Sequence, residues 1–453
     1  MTSKVLTFPF RHGLAALLIP AVIALAGCTE DAERANDPRS PDASPPGGGE
    51  DDFGADAGDR DRGDNGEDDG EGTGGRDGRG DGDGDGDGDS APEHVDDTFR
   101  ACLDQEGPRV TIDPIDHGYT GFRASSPADS SVFDARGASW RYQTYPTIRR
   151  ETTTAINLSN RSGDEACLMG GKVVGTNEPP VGTPSRDGGG SWRDYKRERG
   201  WAVRLAQARP TVDGFRADNM GEDGISVSRA SGWTVRNSWV SRIADDGIDM
   251  RPNVMRDGGL IQDVLLDRVF YPIALDGGSS ATCGDFTDRM LTLDGVLARH
   301  LPMPNGSGGT TTVYTFKTNA CQEMGISIKN SVLAFDRGRG RSSPDGRFRR
   351  ALEWVRDHGT CSNNVIAWKS DEPFPPRDFP IDQIDELNDA FPGCFTILTG
   401  QQARDFWHAA RENWIHCHPE VDRVLGDPES DYARCDPTFY GGGGTNLSPS
   451  QTP

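Results

Sequence analysis

Five carboxylates fall in two short runs that copy each other: Gly221-Glu-Asp-Gly-Ile-Ser-Val227 and Ala244-Asp-Asp-Gly-Ile-Asp-Met250. Asp223-Gly224-Ile225 recurs as Asp246-Gly247-Ile248, 23 residues further on. If the runs lie side by side at the ~4.8 Å spacing of paired strands, Glu222 meets Asp245, Asp223 meets Asp246, Ser226 meets Asp249 and Ser228 meets Arg251. Like charges this close raise each other's pKa unless a cation or a shared proton intervenes. Asp223, Asp245, Asp246 and Asp249 are hard oxygen ligands suited to Ca²⁺. Asp223, Asp245 and Asp246 also have the chemistry of a general acid and a water-activating base. The bland alternative is a turn device. Asp caps its own turn and Gly accepts φ > 0, so an acidic stack at a corner is also what a structural or solvated edge looks like.

The elements that must carry these residues are short strands. Period-2 or β-branched runs include Ala155–Leu158, Ala202–Leu205, Ile225–Val227, Trp233–Val235, Ile248–Met250, Leu260–Leu266, Ile326–Ile328 and Val365–Trp368, separated by Gly, Asn and Asp. In both central runs the apolar residues share one parity: Ile225 and Val227 point in, as do Ile248 and Met250. A period in the low twenties predicts a solenoid whose coils bury their inward residues by stacking. Asn237 and Asn330, each followed by Ser, are placed to line turns. An immunoglobulin-like sandwich is the rival reading.

Across 155–368 the pattern resembles the right-handed parallel β-helix of the pectin-lyase-like superfamily. The resemblance implies an extended, anionic polysaccharide as partner and Ca²⁺ as cofactor. In lyases of that kind a basic residue removes the proton α to a uronate carboxylate, and the metal stabilises the developing charge. Arg251 is the expected base, with Lys317 and Lys329 in reserve. Ca²⁺-assisted β-elimination is the favoured chemistry. The Gly221–Gly224 and Ala244–Gly247 runs are also similar to the Asn-Thr-Asp-Gly and Gly-Asp-Asp motifs of polygalacturonases, and Met324-Gly-Ile-Ser-Ile-Lys329 to their Gly-x-Arg-Ile-Lys, which places Lys329 among the catalytic candidates. That family hydrolyses with two carboxyl groups ~6.5–9.5 Å apart. Here Ser327 stands in place of the Arg, and no Gly-His-Gly follows one coil after Asp246. A non-catalytic adhesin or structural surface protein is the alternative of a different class.

The remainder of the chain divides by composition. Residues 1–28 read as a signal peptide: Lys4, Arg11 and His12, then an apolar run too short to span a bilayer, then Leu25-Ala26-Gly27-Cys28, which resembles a bacterial lipobox. Cys28 is the expected lipidation site, and the resemblance implies an outer-membrane lipoprotein held in the cell envelope. Residues 29–97 are an acidic Gly/Asp-rich tether lacking the apolar residues for a core. With 25 Asp/Glu against 6 Arg, the tether carries −19 of the net −24, and residues from Thr98 onward carry −7. The acidic balance therefore describes the tether. Asp81–Asp89 alternates with Gly like a Ca²⁺ loop, but the twelfth position is Pro92 counted from Asp81 and His94 counted from Asp83, neither of which closes a site.

Residues 98–370 are expected to form the β-helix with an N-terminal cap, 371–440 a helical C-terminal cap, and 441–453 a tail. Helices are predicted at Phe348–Asp357, Ile381–Ala390 and Gln401–Cys417, the last with Phe406, Ala410 and Trp414 on one face. Between 175 and 200, Trp192, Arg193, Tyr195 and Lys196 are the candidate substrate grip. An exported address argues against nucleic acid as its ligand, and a monomer is expected. Eight cysteines besides Cys28 predict disulfides 102–167, 283–321, 361–394 and 417–435. The lipobox reading is tested by fractionation. Wild-type protein is expected in the membrane fraction and the Cys28→Ser variant in the soluble one; a membrane-bound Cys28→Ser variant removes the lipid anchor from consideration.

Overall fold

A computed structural model describes residues 98–421, apart from 125–129, 143–153, 159–164, 177–180, 182–199, 207–208, 229, 253–254, 276–282, 301, 305–309, 312–314, 320, 337–345, 377–378 and 419. The lipobox, the tether, the candidate grip at Trp192, Arg193, Tyr195 and Lys196, and residues 441–453 lie outside the described residues.

The chain is a parallel β-helix. Apart from one small antiparallel pair (Met303–Pro304 with Thr310–Thr311), every strand pairing among the described residues is parallel, which rules out the sandwich. The coil has three faces. The first carries nine strands, from Arg109–Thr111 through Arg209–Asp213 and Gly232–Arg236 to Cys361–Ser362. The second runs from Ser139–Tyr142 through Arg216–Asp218 to Phe395–Thr399. The third runs from Phe122–Arg123 through Trp201–Leu205 and Ile225–Val227 to Phe316–Thr318. Two long strands, Trp239–Met250 and Leu265–Leu275, pass through the second face and on into the third.

Inward side chains stack coil on coil. On the first face the column is Val110, Phe133, Leu168, Val212, Val235, Ile261, Leu293, Ile328. From Phe133 onward each is nearly or fully buried, and each such side chain contributes about 1.5–3 kcal/mol of transfer free energy. The corner between first and second faces needs one left-handed residue per coil. Gly170, Gly214, Asn237, Asp263, Gly295, Asn330 and Asn363 all have φ between 48° and 72°. The asparagines also rung the ladder: Asn237 Nδ2 donates to Asp213 Oδ1 (2.9 Å), Asn330 Nδ2 to Asp294 Oδ1 (2.9 Å) and Asn363 Nδ2 to Asn330 Oδ1 (3.0 Å). Both asparagines expected at turns are there. The 23-residue period holds for Arg216 over Trp239 and Ile225 over Ile248. Elsewhere insertions at the corners stretch it, so Leu297 pairs with Val332.

The predicted helices form at Gly346–His358, Ile381–Ala390 and Gly400–Cys417. The first follows the second-face strand Val332–Phe335, where a third-face strand would otherwise run. Its Phe348 stacks on Phe316 of the last third-face strand at 6.3 Å. The second packs on it and adds Ile384 and Leu387 to the same core. The third does not close the end of the coil as expected of a cap. It lies along the outside of the second face, burying Phe406, Ala410 and Trp414 against Trp239, Leu265, Leu297, Val332 and Val365. The physical reason is that those outward residues are apolar and need a cover.

The N-terminal cap is also different from expectation. The short helix Arg100–Leu103 sits against the outside of the first face, held by Cys102–Cys167 and by Phe99 lying on Gly214. Residues from Arg109 on are the first coil itself. Disulfides 102–167, 283–321 and 361–394 match the expected pairing. Cys417 is disulfide-bonded as well, its expected partner Cys435 being outside the described residues.

The helix against the second face is anchored by Trp414, which is fully buried, meets Trp239 edge-on at 6.3 Å and donates its Nε1–H to the Asp263 carbonyl (3.1 Å). Trp414→Ala is expected to cost about 3–5 kcal/mol, read as a lower urea midpoint. A loss under about 1 kcal/mol means that the helix is not integral to the fold.

Candidate active site

The two Asp-Gly-Ile runs stack as their spacing predicts. Ile225 pairs with Ile248, Ser226 with Asp249 and Val227 with Met250. Asp223 and Asp246 lie two residues upstream, at the corner where the chain enters the third face. Gly224 N donates to the Asp246 carbonyl (2.9 Å), and Asp246 N donates to Asp223 Oδ1 (3.3 Å). The glycines make this approach possible. A Cβ on Gly224 would lie 2.7 Å from the Gly247 carbonyl oxygen, and one on Gly247 would lie 2.7 Å from that of Pro272. The corner thus brings one carboxylate oxygen each from Asp223, Asp245 and Asp246 within 4.8 Å of one another. All three side chains are buried, with exposures of 5%, 3% and 3%.

Burial and crowding act together on Asp223. Its carboxyl is pushed well above the usual range, first by desolvation and then by the charges of Asp246, Asp249, Asp245 and Glu222. Trp201 donates its Nε1–H to Asp223 Oδ2 (2.7 Å), and Gly200 N donates to Glu222 Oε2 (3.0 Å). Across the cluster Lys317 supplies the opposite charge. Its Nζ lies 2.9 and 3.2 Å from the Asp246 carboxylate oxygens and 3.9 Å from Asp245 Oδ1. Tyr271, in register with Asp246 on the next coil, completes the wall. Lys317 Nζ stands 5.1 Å from its ring centre, and Arg347 Nη1 donates to its hydroxyl (2.8 Å).

The structure sorts the candidates. Asp223, Asp245 and Asp246 come together. Asp249 points outward on the third face, partly buried, and accepts from Ser226 Oγ (3.3 Å). It belongs to an outward ladder of Arg123, Asn157, Arg204, Ser226, Asp249, Ala274 and Lys317. Arg251 follows the end of its strand and is partly buried. Lys329 is a correction. It ends a first-face strand and pairs with Asp294 (2.9 Å), so the motif that suggested it lies on a different sheet from the carboxylates. The lysine at the site is Lys317, the reserve candidate. Tyr271, Trp201 and Arg347 had no sequence signal of their own: Tyr271 is found only by following the strand past its irregularity between Ile243 and Asp246.

Ca²⁺ fits this set poorly. One ion can reach all three inner carboxylates, but it takes six to eight oxygens, and here an ammonium group already contacts two of the three. Lys317 offsets part of the cluster's charge from within. No protein-family model matches the chain, and neither a curated protein nor a solved structure matches it.

The raised Asp223 pKa has a stability consequence. The folded state holds this proton more tightly than the unfolded chain. Its contribution is therefore fully present below the ordinary Asp value of 3.8 and is lost as pH rises through the higher folded value. Asp223→Asn removes the titration. The difference in melting temperature, variant minus wild type, is expected to rise between pH 4 and pH 8. A difference that stays flat or falls shows that the Asp223 pKa is not raised in the folded protein.

Proposed function

We propose that this protein binds an extended polysaccharide along the third face of its coil and hydrolyses it with the carboxyl cluster. The observation that carries the reading is the split between neighbouring carboxyls. Asp223 is driven toward its protonated form, while Asp246 rests on the Lys317 ammonium. A carboxyl driven toward its protonated form beside one that contacts an ammonium is an arrangement that acid–base catalysis can use. Asp223 gives its proton to the glycosidic oxygen as the C–O bond breaks. These carboxyls lie within 4.8 Å of one another, nearer the ~5–5.5 Å of a nucleophile pair than the ~6.5–9.5 Å that admits an attacking water, so Asp245 or Asp246 attacks the anomeric carbon, and water deprotonated by Asp223 then cleaves the resulting ester. Arg204, Asp249 and Lys317 on the outward ladder line the path of the chain, and their mixed charge suits a sugar polymer bearing anionic groups. The likeness to the pectin-lyase-like superfamily supports the same substrate class. The expected tether and lipid at Cys28 would hold the domain at the cell envelope.

A second reading, a glycan-binding scaffold without catalysis, is supported by the burial of all three inner aspartates. One experiment separates these readings from the lyase. The protein is incubated with neutral and uronate polysaccharides, with and without EDTA. New reducing ends without ultraviolet-absorbing product, insensitive to EDTA and reduced by at least about 100-fold in Asp223→Asn, are expected. Absorbing product abolished by EDTA would establish Ca²⁺-assisted β-elimination instead. Binding without product across the panel leaves the scaffold.

A further inference from the structure

The large apolar side chains that stand exposed among the described residues all fall within one stretch: Leu103 (43%), Val110 (41%), Ile115 (57%) and Tyr119 (48%). That stretch is the N-terminal end of the coil. Val110 is not a surface residue by position. It heads the inward column continued by Phe133, Leu168 and Val212, and among the described residues no coil stacks on it. The backbone is open in the same place. Arg109–Thr111 is an edge strand whose only strand partner among the described residues is Ser130–Asp134. Pro108 O accepts from Val132 N (2.9 Å) and Ile112 N donates to Asp134 O (2.8 Å). By the alternation of a parallel pair, the N–H and C=O groups of Arg109 and Thr111 therefore face away, toward the open edge.

We propose that this end docks on the same end of a second copy of the chain, head to head about a twofold axis. Three features select a second copy. First, an antiparallel meeting centred on Val110 sets Arg109 opposite Thr111 of the other copy, twice, and the outward backbone groups of both meet no strand among the described residues. The interface is therefore self-complementary, as a twofold contact requires. Second, the exposed cross-section is that of a coil, and an identical coil end covers the open core with matching shape. Third, the charges balance within the face. Arg100, Arg109, Arg123 and Arg141 stand against Asp104, Glu106, Asp113 and Asp116, with Arg100–Asp104 and Arg141–Asp116 already paired. Like faces meet without net repulsion. Unsatisfied strand edges and unstacked solenoid ends are features that proteins otherwise cover.

The test uses the full chain carrying Cys28→Ser, so that lipid does not drive association. Sedimentation velocity at micromolar concentration is expected to show a dimer. Val110→Asp and, separately, Ile115→Asp are expected to weaken it by at least about tenfold with unchanged circular dichroism and melting temperature. Val110→Cys is expected to oxidise to a covalent dimer, while Thr234→Cys, on the flank of the coil, is not. A monomer throughout overturns the proposal, as does a dimer indifferent to both aspartate variants. Dimerisation only after deletion of 29–97 overturns it too, because the chain's own upstream residues then cover the end. So does a monomer that binds phosphatidylethanolamine–phosphatidylglycerol vesicles through Val110. None of these readouts depends on glycan cleavage.

Discussion

Every coil of this protein is buried only by its neighbours. Inward residues pair with the same face of the next coil at strand spacing, and the tight corner between first and second faces fixes where each new strand begins. Register is therefore the quantity on which everything else depends. A slip by one residue at any corner would turn Ile225 or Val235 outward and bring a polar neighbour into the core. The left-handed residue at each first corner, with its asparagine rungs, makes that slip costly.

The same register creates the site. Fixing Ile225 on Ile248 leaves no freedom for the residues two places upstream, so Asp223 must stand against Asp246. Like charges in a buried corner are unfavourable, and the coil carries two compensations. A proton held on Asp223 is one, and an ammonium brought from two coils further along is the other. Both are what acid–base chemistry needs. The apolar cluster of Val181, Ala244, Phe270, Tyr271 and Met303 includes the chain neighbour of Asp245 and the partner of Asp246 on the next coil, and a low-dielectric surrounding strengthens each charge interaction.

Legibility in the sequence followed the integrity of the period. The Asp-Gly-Ile repeat was readable because no insertion separates its two copies, and its 23-residue offset gave the stacking of Ser226 on Asp249. The helices were readable from their apolar stripes, and the disulfides from the rule that neighbours in a solenoid are neighbours in sequence. Lys317 was only a reserve because the coil that separates it from Ala274, its partner on the preceding third-face strand, takes 43 residues instead of 23, which erases any fixed offset. Lys329 misled for a related reason. A five-residue motif match carries no information about which of three faces it occupies, and this one lies on the first. The cap at the N-terminus was expected because a solenoid end needs cover; the sequence does not say whether that cover lies within the chain.

The cystine between Cys102 and Cys167 closes a loop of 65 residues just inside the N-terminal end. Its place gives it a mechanical meaning. Tension arriving along the chain from upstream reaches Cys102 before it reaches the first strand, and the covalent bridge passes it to Cys167 on a fully buried first-face strand. The residues between the two cysteines, including the open first coil, are thereby shunted out of the line of force. A coil that would otherwise peel from its loose end is instead pulled from a rung already sandwiched between Ser130–Asp134 and Arg209–Asp213. Neighbouring strands there must shear together rather than unzip singly.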